Sequence, residues 1–310
     1  MRSTQPAPAG SKQSFMSEIA LFRHGEDLQL VLGDRTIGDY RVHDDSIDAV
    51  NTPKPYFHPL RTLGGHVISG FAPPDHPWHH GLQFAMPRVG AHNMWGGGTY
   101  FGPERGYVVA DDHGQIRHES WTEIDTTAGR FTHRIGWLDS EGTVLLREVR
   151  SHRLRLLRVQ DVEGWLLQLD TVLTNATDQQ LRLETPAQRG RPDGGYGGWF
   201  LRFAEGFGAT RLTGDGEPVT ASGVSATTLI IDGRIASGES VTVGLHQGPA
   251  TNPGSRRFLY RFDPFPLAGF AVAYDEGLSL EAGESMTLSH RIACFDGSIN
   301  PELVCDVLEH

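Results

Sequence analysis

The stretch WLLQLDTVLT, residues 165–174, carries the pattern that decides the fold. Apolar and polar side chains alternate along it, with Leu167 and Leu169 on one side and Gln168 and Asp170 on the other. Successive side chains of a β-strand point to opposite faces, so this alternation predicts a strand with one buried face.

The same alternation recurs along the chain between turn-forming segments. In RFTHRIGWL, Phe131, Ile135 and Trp137 share one side, and the segments DSEG, TNATDQQ and IDGR separate strand-like runs. The chain holds 38 glycines and 18 prolines, which punctuate these runs throughout. Many short strands joined by such turns predict an all-β fold, an antiparallel β-sandwich.

The predicted organisation is one domain with a tail at each end. Residues 1–16 are expected to form a flexible tail, residues 17–298 the β-sandwich, and residues 299–310 a C-terminal tail with a short helix. That helix is predicted in NPELVCDVL, where Asn300 can act as N-cap and Pro301 fits the first helical position.

Composition argues against several classes of partner. The 27 basic and 38 acidic residues give a net charge of -11, which does not favour nucleic acid or anionic membranes. In the densest basic run, REVRSHRLRLLR, basic and apolar residues alternate. It is interpreted as a pair of strands with one solvent-exposed face. No apolar run reaches the length of a membrane span, and no secretory signal is evident, so a cytoplasmic location is expected.

The stretch PPDHPWHHGLQF, residues 73–84, concentrates histidine near an aspartate and a tryptophan. Its three prolines exclude a helical zinc motif. The run that follows alternates like a strand, which predicts one core-facing set and one polar set: His80, Leu82, Phe84 and Met86 against His79, Gly81, Gln83 and Ala85. His79 is therefore the acid/base candidate, with His76 on the preceding loop beside it. The alternative is a turn that is merely rich in histidine.

Two further segments carry side chains suited to binding sugar. GAHNMWGGGTYFG offers His92, Asn93 and Trp95, and an aromatic face with fixed donors is what a pyranose requires. GRPDGGYGGWFLR offers Arg191, which could clamp a carboxylate or polarise a carbonyl, and Tyr196. The alternatives are a core tryptophan and an ordinary surface loop.

Several separated motifs, in order, resemble one family. PYFHPLRTLGGHVISGFAPPDHPWHHGLQFAM, NMWGG, GRPDGGYGGWFLR, LHQGPATNP and DPFPL are similar to the DUF6807 family, often labelled "methane oxygenase PmoA". That label is interpreted as a misnomer, because the methane monooxygenase subunit is a membrane protein. The resemblance implies a sandwich like the galactose-mutarotase supersandwich, in bacteria that also carry sugar oxidoreductases.

The resemblance also transfers individual positions. The motif D-H-x-W-H-H-G corresponds to Asp75, His76, Trp78, His79, His80 and Gly81, and G-Y-G-G corresponds to Tyr196 and Gly197. One departure is Gln83, where the family pattern has tryptophan. A mutarotase-like site needs an acid and a base across the sugar ring, which makes Glu184 in LETPAQR a candidate base. His246, at a strand end before a turn, is a further substrate-binding candidate.

Three hypotheses for function follow. The first is a carbohydrate-active enzyme in which His76, His79, Glu184 and Tyr196 perform acid/base proton transfer on a sugar or keto-glycoside (epimerisation, β-elimination or hydration). Asp75, Trp78, His92, Asn93, Trp95, Arg191 and His246 would bind the substrate, and a sugar oxidoreductase would be a functional partner. The second is a non-catalytic carbohydrate-binding protein. The third is a metal-dependent oxygenase; no cofactor is required by the sequence, but His76, His79, His92 and His246 are candidate ligands of a divalent metal.

Overall fold

The computed structural model describes residues 19–250 and 257–310. The predicted N-terminal tail, residues 1–16, and the first two positions of the predicted domain lie outside this part. Within it the chain forms strands β1 to β23, two short 3-10 turns at Ala49–Asn51 and Pro186–Arg189, and one helix, α1. No helix in these residues is long and apolar enough to cross a membrane.

The strands follow one another with short connections. The first half contains β1 (Ile19–His24), β2 (Asp27–Leu32), β3 (Arg35–Arg41), β4 (Tyr56–Leu60), β5 (Leu82–Ala85), β6 (Arg88–Val89), β7 (Thr99–Tyr100), β8 (Tyr107–Val108), β9 (Gln115–Asp125), β10 (Arg130–Leu138) and β11 (Val144–Val159). The second half contains β12 (Val162–Asn175), β13 (Leu181–Glu184), β14 (Gly198–Arg202), β15 (Gly208–Gly214), β16 (Glu217–Pro218), β17 (Val224–Ser225), β18 (Thr228–Arg234), β19 (Ser240–Ala250), β20 (Arg257–Arg261), β21 (Leu267–Ala271), β22 (Leu278–Leu280), β23 (Ser285–Asp296) and then α1 (Pro301–Glu309).

Two nine-stranded sheets make the sandwich. Sheet A has the order β1-β2-β3-β4-β5-β14-β21-β20-β17, and sheet B has the order β16-β15-β18-β19-β23-β12-β11-β10-β9. A three-stranded sheet, β22-β13-β6, and the hairpin β7-β8 complete the described strands. The paired strands of both large sheets run antiparallel, which confirms the predicted all-β antiparallel sandwich.

Aromatic side chains fill the space between the sheets. Phe84 of sheet A meets Trp137 of sheet B with 5.7 Å between ring centroids. The guanidinium of Arg150 in sheet B lies 4.9 Å above the ring of Trp199 in sheet A. Full burial of each such large side chain contributes roughly 1.5–3 kcal/mol to stability, so this layer holds the two sheets together.

The predicted alternation along β12 is confirmed, and α1 explains where it breaks. Leu167 and Leu169 are buried, and Gln168 is partly exposed. Leu166, on the opposite face, is nevertheless fully buried because it packs in a second cluster with Leu308 of the helix.

The helix begins as the sequence predicted. The Asn300 side chain accepts a hydrogen bond from the backbone N–H of Glu302, and Pro301 is the first helical residue. Val304 is buried with its neighbours in the second cluster, so α1 covers the outer face of sheet B.

The basic run was predicted to form a pair of strands, and this is wrong. Residues 147–158 belong to the single strand β11. Its buried face carries Glu148, Arg150 and His152. These charges are tolerated because Arg150 donates to both oxygens of Glu148, at 2.7 and 2.9 Å, and the Trp137 indole donates to the same carboxylate at 2.7 Å.

Candidate active site

A cavity of about 570 Å³ opens on the outer face of sheet A. Side chains alternate along β14, so Trp199 points into the sandwich core while Phe200 lines the cavity. Residues of β20 and β21 line it beside Phe200, and loops after β4, β6 and β13 contribute further lining residues.

The histidine-rich segment reaches this cavity through a turn. The predicted strand begins later than expected, at Leu82, because Gly81 has a left-handed φ of 59° and a side chain there would collide with the carbonyl oxygen of Phe57. His79 nevertheless lines the cavity, whereas His80 is fully buried and donates from Nε2 to the Pro77 carbonyl at 3.0 Å. Both histidines are buried and both precede the strand, and of the two only His79 lines the cavity.

The predicted polar face of this strand is wrong. Gln83 and Ala85 are both fully buried. Gln83 accepts a hydrogen bond from the His80 backbone at 2.8 Å and donates to the Trp78 carbonyl at 3.2 Å, so it braces the turn from behind.

His76 and His79 form a stacked pair with a different charged partner on each ring. Their centroids are 4.8 Å apart and their planes differ by 24°. His76 Nδ1 lies 2.7 Å from a carboxylate oxygen of Asp75. His79 Nδ1 lies 3.5 Å from Nη1 of Arg202, and Nη2 of the same guanidinium lies 3.7 Å from the other oxygen of Asp75.

These partners set opposite tautomers on the two rings. An ionised carboxylate only accepts hydrogen bonds, so Nδ1 of His76 carries the proton and Nε2 keeps its lone pair. A guanidinium only donates, so Nδ1 of His79 accepts and Nε2 carries the proton. Neither Nε2 has a protein partner among the described residues. The pair therefore presents one acceptor and one donor.

Both rings are neutral at neutral pH. Burial lowers the pKa of His79 well below its usual value, and nearby positive groups, including Arg202 and Lys54, lower it further. Burial also lowers the pKa of His76, although the hydrogen bond and charge of Asp75 act in the opposite direction. The Asp75 carboxyl has a lowered pKa despite some burial, because His76 and Arg202 favour its ionised form.

Aromatic rings form the wall beside the histidine pair. Trp95 stacks on Phe200 with 4.7 Å between centroids and meets Tyr196 at 4.8 Å. The glycine run after Trp95 makes room for the neighbouring Trp78. Gly97 has a left-handed φ of 68°, and a Cβ there would lie 2.6 Å from the Trp78 indole.

The hairpin β7-β8 contributes Tyr107 to the cavity. Its hydroxyl lies 2.9 Å from that of Tyr196 and accepts a hydrogen bond from Arg191, whose guanidinium also sits 4.9 Å from the centre of the Tyr107 ring. Burial raises the pKa of Tyr196, so its phenol remains protonated. Arg261 lines the same cavity, 5.1 Å from the ring of Phe265.

The structure brings most of the sequence candidates together. Six of them line the cavity: His76, Trp78, His79, Trp95, Arg191 and Tyr196. Asp75 supports one of these by its hydrogen bond to His76. Asn93 lies behind the wall, where its side-chain oxygen accepts from the backbone N–H groups of Trp95 and Gly96, both at 2.9 Å.

Three candidates lie elsewhere. Glu184 is on β13, in the three-stranded sheet, and pairs with Arg189 at 2.7 Å and Arg182 at 3.2 Å. His92 follows β6 in a turn closed by hydrogen bonds to Val89. His246 is on β19 of sheet B, with Nδ1 3.0 Å from the Thr228 hydroxyl.

The four histidines named as metal candidates are therefore divided between separate regions. His76 and His79 are adjacent, while His92 and His246 belong to other elements. Across residues 19–250 and 257–310, no three His, Cys, Asp or Glu side chains form a group that could hold a metal ion.

Sequence reasoning missed three residues that line the cavity: Tyr107, Arg261 and Phe265. Phe265 had a signal, since it lies within the segment DPFPL that carries the family resemblance. Arg261 had no such signal, because the residues next to it in the sequence do not distinguish it from an arginine on any solvent-exposed face of a strand.

A sequence model of DUF6807, described as a family of unknown function, matches residues 27–308. The chain belongs to the DUF6807 family. That description assigns no methane-oxygenase activity to its members. A search of the curated proteins finds no match.

Three solved structures show distant similarity to this DUF6807 protein. A polysaccharide lyase aligns at 12% identity and a TM-score of 0.33. The alignment covers 91% of this chain, but only about a third (33%) of the lyase. The GH36 α-galactosidase AgaA from Geobacillus stearothermophilus, in complex with stachyose, aligns at 10% identity and a TM-score of 0.39. The alignment covers 90% of this chain and 40% of the α-galactosidase. A galactose mutarotase-related enzyme from Lactobacillus acidophilus aligns at 9% identity and a TM-score of 0.34. The alignment covers 91% of this chain and 98% of that enzyme. TM-scores this low do not establish a common fold, so the fold assignment rests on the two sheets themselves.

Proposed function

We propose that this protein is a carbohydrate-active enzyme that moves a proton at a carbon next to the ketone of a keto-glycoside. The observation that carries the proposal is the stacked pair of neutral imidazoles with opposite tautomers. His76 offers a lone pair at Nε2, and His79 offers an N–H at Nε2, at one cavity.

The two rings have complementary roles in such a step. His76 Nε2 takes the proton from the carbon beside the ketone, and the electrons of that C–H bond form the enolate double bond. His79 donates a hydrogen bond to the enolate oxygen as a neutral electrophile. Epimerisation results if a water delivers a proton to the opposite face of the enolate and His76 loses its proton to solvent. β-Elimination results if the enolate electrons form a C=C bond, the C–O bond at the next carbon breaks, and the leaving oxygen takes the proton from His76.

The remaining cavity residues suit a sugar ring. The volume of about 570 Å³ lies within the usual range for small-molecule sites. Trp78 and Trp95 offer apolar faces on which pyranose C–H groups can stack, and the hydroxyls of Tyr107 and Tyr196 offer hydrogen bonds. A sugar oxidoreductase would be the partner that supplies the ketone.

The direct test is hydrogen exchange with solvent. Methyl 3-oxo-β-D-glucoside, incubated with the protein in D₂O, is expected to exchange hydrogen at C2 or C4, followed by NMR against a buffer blank. Enolisation is detected this way whether or not the reaction proceeds to epimerisation or elimination. His76→Ala should slow exchange by about 10²–10⁴-fold, the usual contribution of a general base.

Glutamine substitutions separate the two roles. Glutamine has an N–H donor but no basic nitrogen. His79→Gln should therefore keep part of the exchange activity that His79→Phe loses, whereas His76→Gln should be as inactive as His76→Ala. The reverse pattern would assign the base to His79 and overturn the proposed roles.

The aromatic wall also favours a second candidate, a non-catalytic carbohydrate-binding protein. Binding of the keto-glycoside by calorimetry, with no exchange above the blank, would support this candidate and reject the enzyme. An oxygenase would require a metal, which elemental analysis of the purified protein would reveal.

A further inference from the structure

We infer that the ligand of this cavity carries an anionic oxygen group, a carboxylate or a phosphate, held by Arg191 and Arg261. The inference deepens the proposed function and rests on it, since it narrows the ligand from sugars in general to sugar acids or sugar phosphates. Its basis is the set of charges that face the cavity.

Two arginines line the cavity without a carboxylate partner among the described residues. Arg261, at the end of β20, is half-buried and lies against the Phe265 ring, 5.1 Å from its centroid. Arg191 is also half-buried, and its contacts are the hydroxyl and ring of Tyr107. A partly desolvated guanidinium without an anion leaves strong hydrogen-bond donors free for a ligand.

The positive potentials of the two arginines overlap inside the cavity. Burial raises the pKa of Tyr196, and Arg191 and Arg261 both act to lower it. Arg261 also acts on His76, which lies beside the proposed reacting carbon. The cationic lining stands out in a chain whose net charge is -11.

The acidic groups nearby do not cancel this potential. Asp75 is already engaged by His76 and by Arg202. Asp193 lines the cavity but is solvent-exposed at its rim, where water screens its charge.

The head group of arginine also fits this ligand chemistry. A guanidinium fork matches the paired oxygens of a carboxylate or phosphate and binds them in two parallel hydrogen bonds.

Calorimetry at low salt tests the inference with one neutral and two anionic sugars: methyl β-D-glucoside, methyl β-D-glucuronide and D-glucose 6-phosphate. The galacto counterpart of each is measured as well. We expect an anionic member to bind about tenfold to a hundredfold more tightly than its neutral counterpart, as charged hydrogen bonds allow. The anionic sugar with the higher affinity shows whether the cavity prefers a carboxylate or a phosphate. Arg261→Gln and Arg191→Gln should each reduce that advantage, and added salt should also reduce it.

The control is Arg153→Gln, which removes the same charge from an exposed position on β11. It should leave the preference intact, and circular dichroism should show that all three variants fold. Equal affinity for neutral and anionic sugars would overturn the inference and leave the proposed function standing. No binding of any probe would likewise overturn the inference, whereas the proposed function fails only if the keto-glycoside shows no exchange.

Discussion

Asp75 determines which nitrogen of His76 carries the proton. Its carboxylate accepts from Nδ1 at 2.7 Å and raises the pKa of a ring that burial lowers. Asp75→Asn should therefore reduce kcat about 10²–10⁴-fold, because an amide can also stabilise the other tautomer. It should also move the acidic limb of the pH profile to lower pH, since His76 must be neutral to act and its pKa falls without the carboxylate.

A second His–Asp pair supplies the control for this prediction. Asp45 lies 2.8 Å from His43 on the surface, and both side chains are largely exposed. Asp45→Asn changes the same chemical groups away from the cavity and should leave kcat and its pH profile unchanged. If Asp75→Asn behaved like Asp45→Asn, His76 would not be the base.

The sequence could predict some of the residues that line the cavity but not their tautomers. His79 lines the cavity and His80 does not, but both precede the strand that begins at Leu82, so the turn and not strand alternation separates them. The tautomer of His79 depends on Arg202, which is distant in sequence and is brought close by the pairing of β14 with β5. Local patterns carry no information on such a contact.

At the scale of elements, Lys54 joins three loop segments behind the aromatic wall. Its Nζ lies 2.9 Å from the Trp95 carbonyl, 3.1 Å from that of Asn51 and 3.5 Å from that of Trp78. Burial lowers the pKa of Lys54. The protonated amine has three N–H donors, which matches the three carbonyl acceptors. Lys54→Met should lower the free energy of unfolding by about 2–4 kcal/mol, since these carbonyls lose their partner.

Chemical denaturation followed by tryptophan fluorescence measures this loss. Arg153→Met, an exposed change of similar size, should shift the free energy of unfolding by no more than about 0.5 kcal/mol. Sugar binding should also weaken in Lys54→Met, because Trp78 and Trp95 lose their common support. Wild-type stability in that variant would show that Lys54 does not hold these loops.

Element-scale errors in the sequence predictions share one physical cause. A period of two shows which side chains share a face, but it does not show which sheet a strand joins. His246 and Glu184 were therefore assigned to the site although β19 pairs within sheet B and β13 within the small sheet. Likewise, the alternation in β11 predicts that its charged side chains are exposed to solvent. That Glu148 and Arg150 form a buried ion pair becomes evident only when the side chains packed around them are known.

At the scale of the whole molecule, buried histidines couple stability to pH. Burial lowers the pKa of His80 to about 2 and that of His290 to about 3. It lowers the pKa values of His79, His133 and His152 well below the usual value. The unfolded chain binds protons at these rings near pH 6.5, whereas the folded chain does not. Stability is therefore complete above pH 6.5 and falls as pH decreases towards the folded pKa values.

The free energy of unfolding should consequently fall by roughly 1 kcal/mol for each of these five rings between pH 7.5 and pH 5.5. The sum, on the order of 5 kcal/mol, is comparable with the whole net stability of many domains. Urea denaturation at half-unit intervals between pH 7.5 and 5.5 measures the slope above the range in which carboxylates titrate. His290→Leu should flatten that slope by one proton, and His43→Gln, an exposed change, should not. A slope of zero in the native protein would mean that these rings bind protons while folded, which would contradict the effect assigned to their burial.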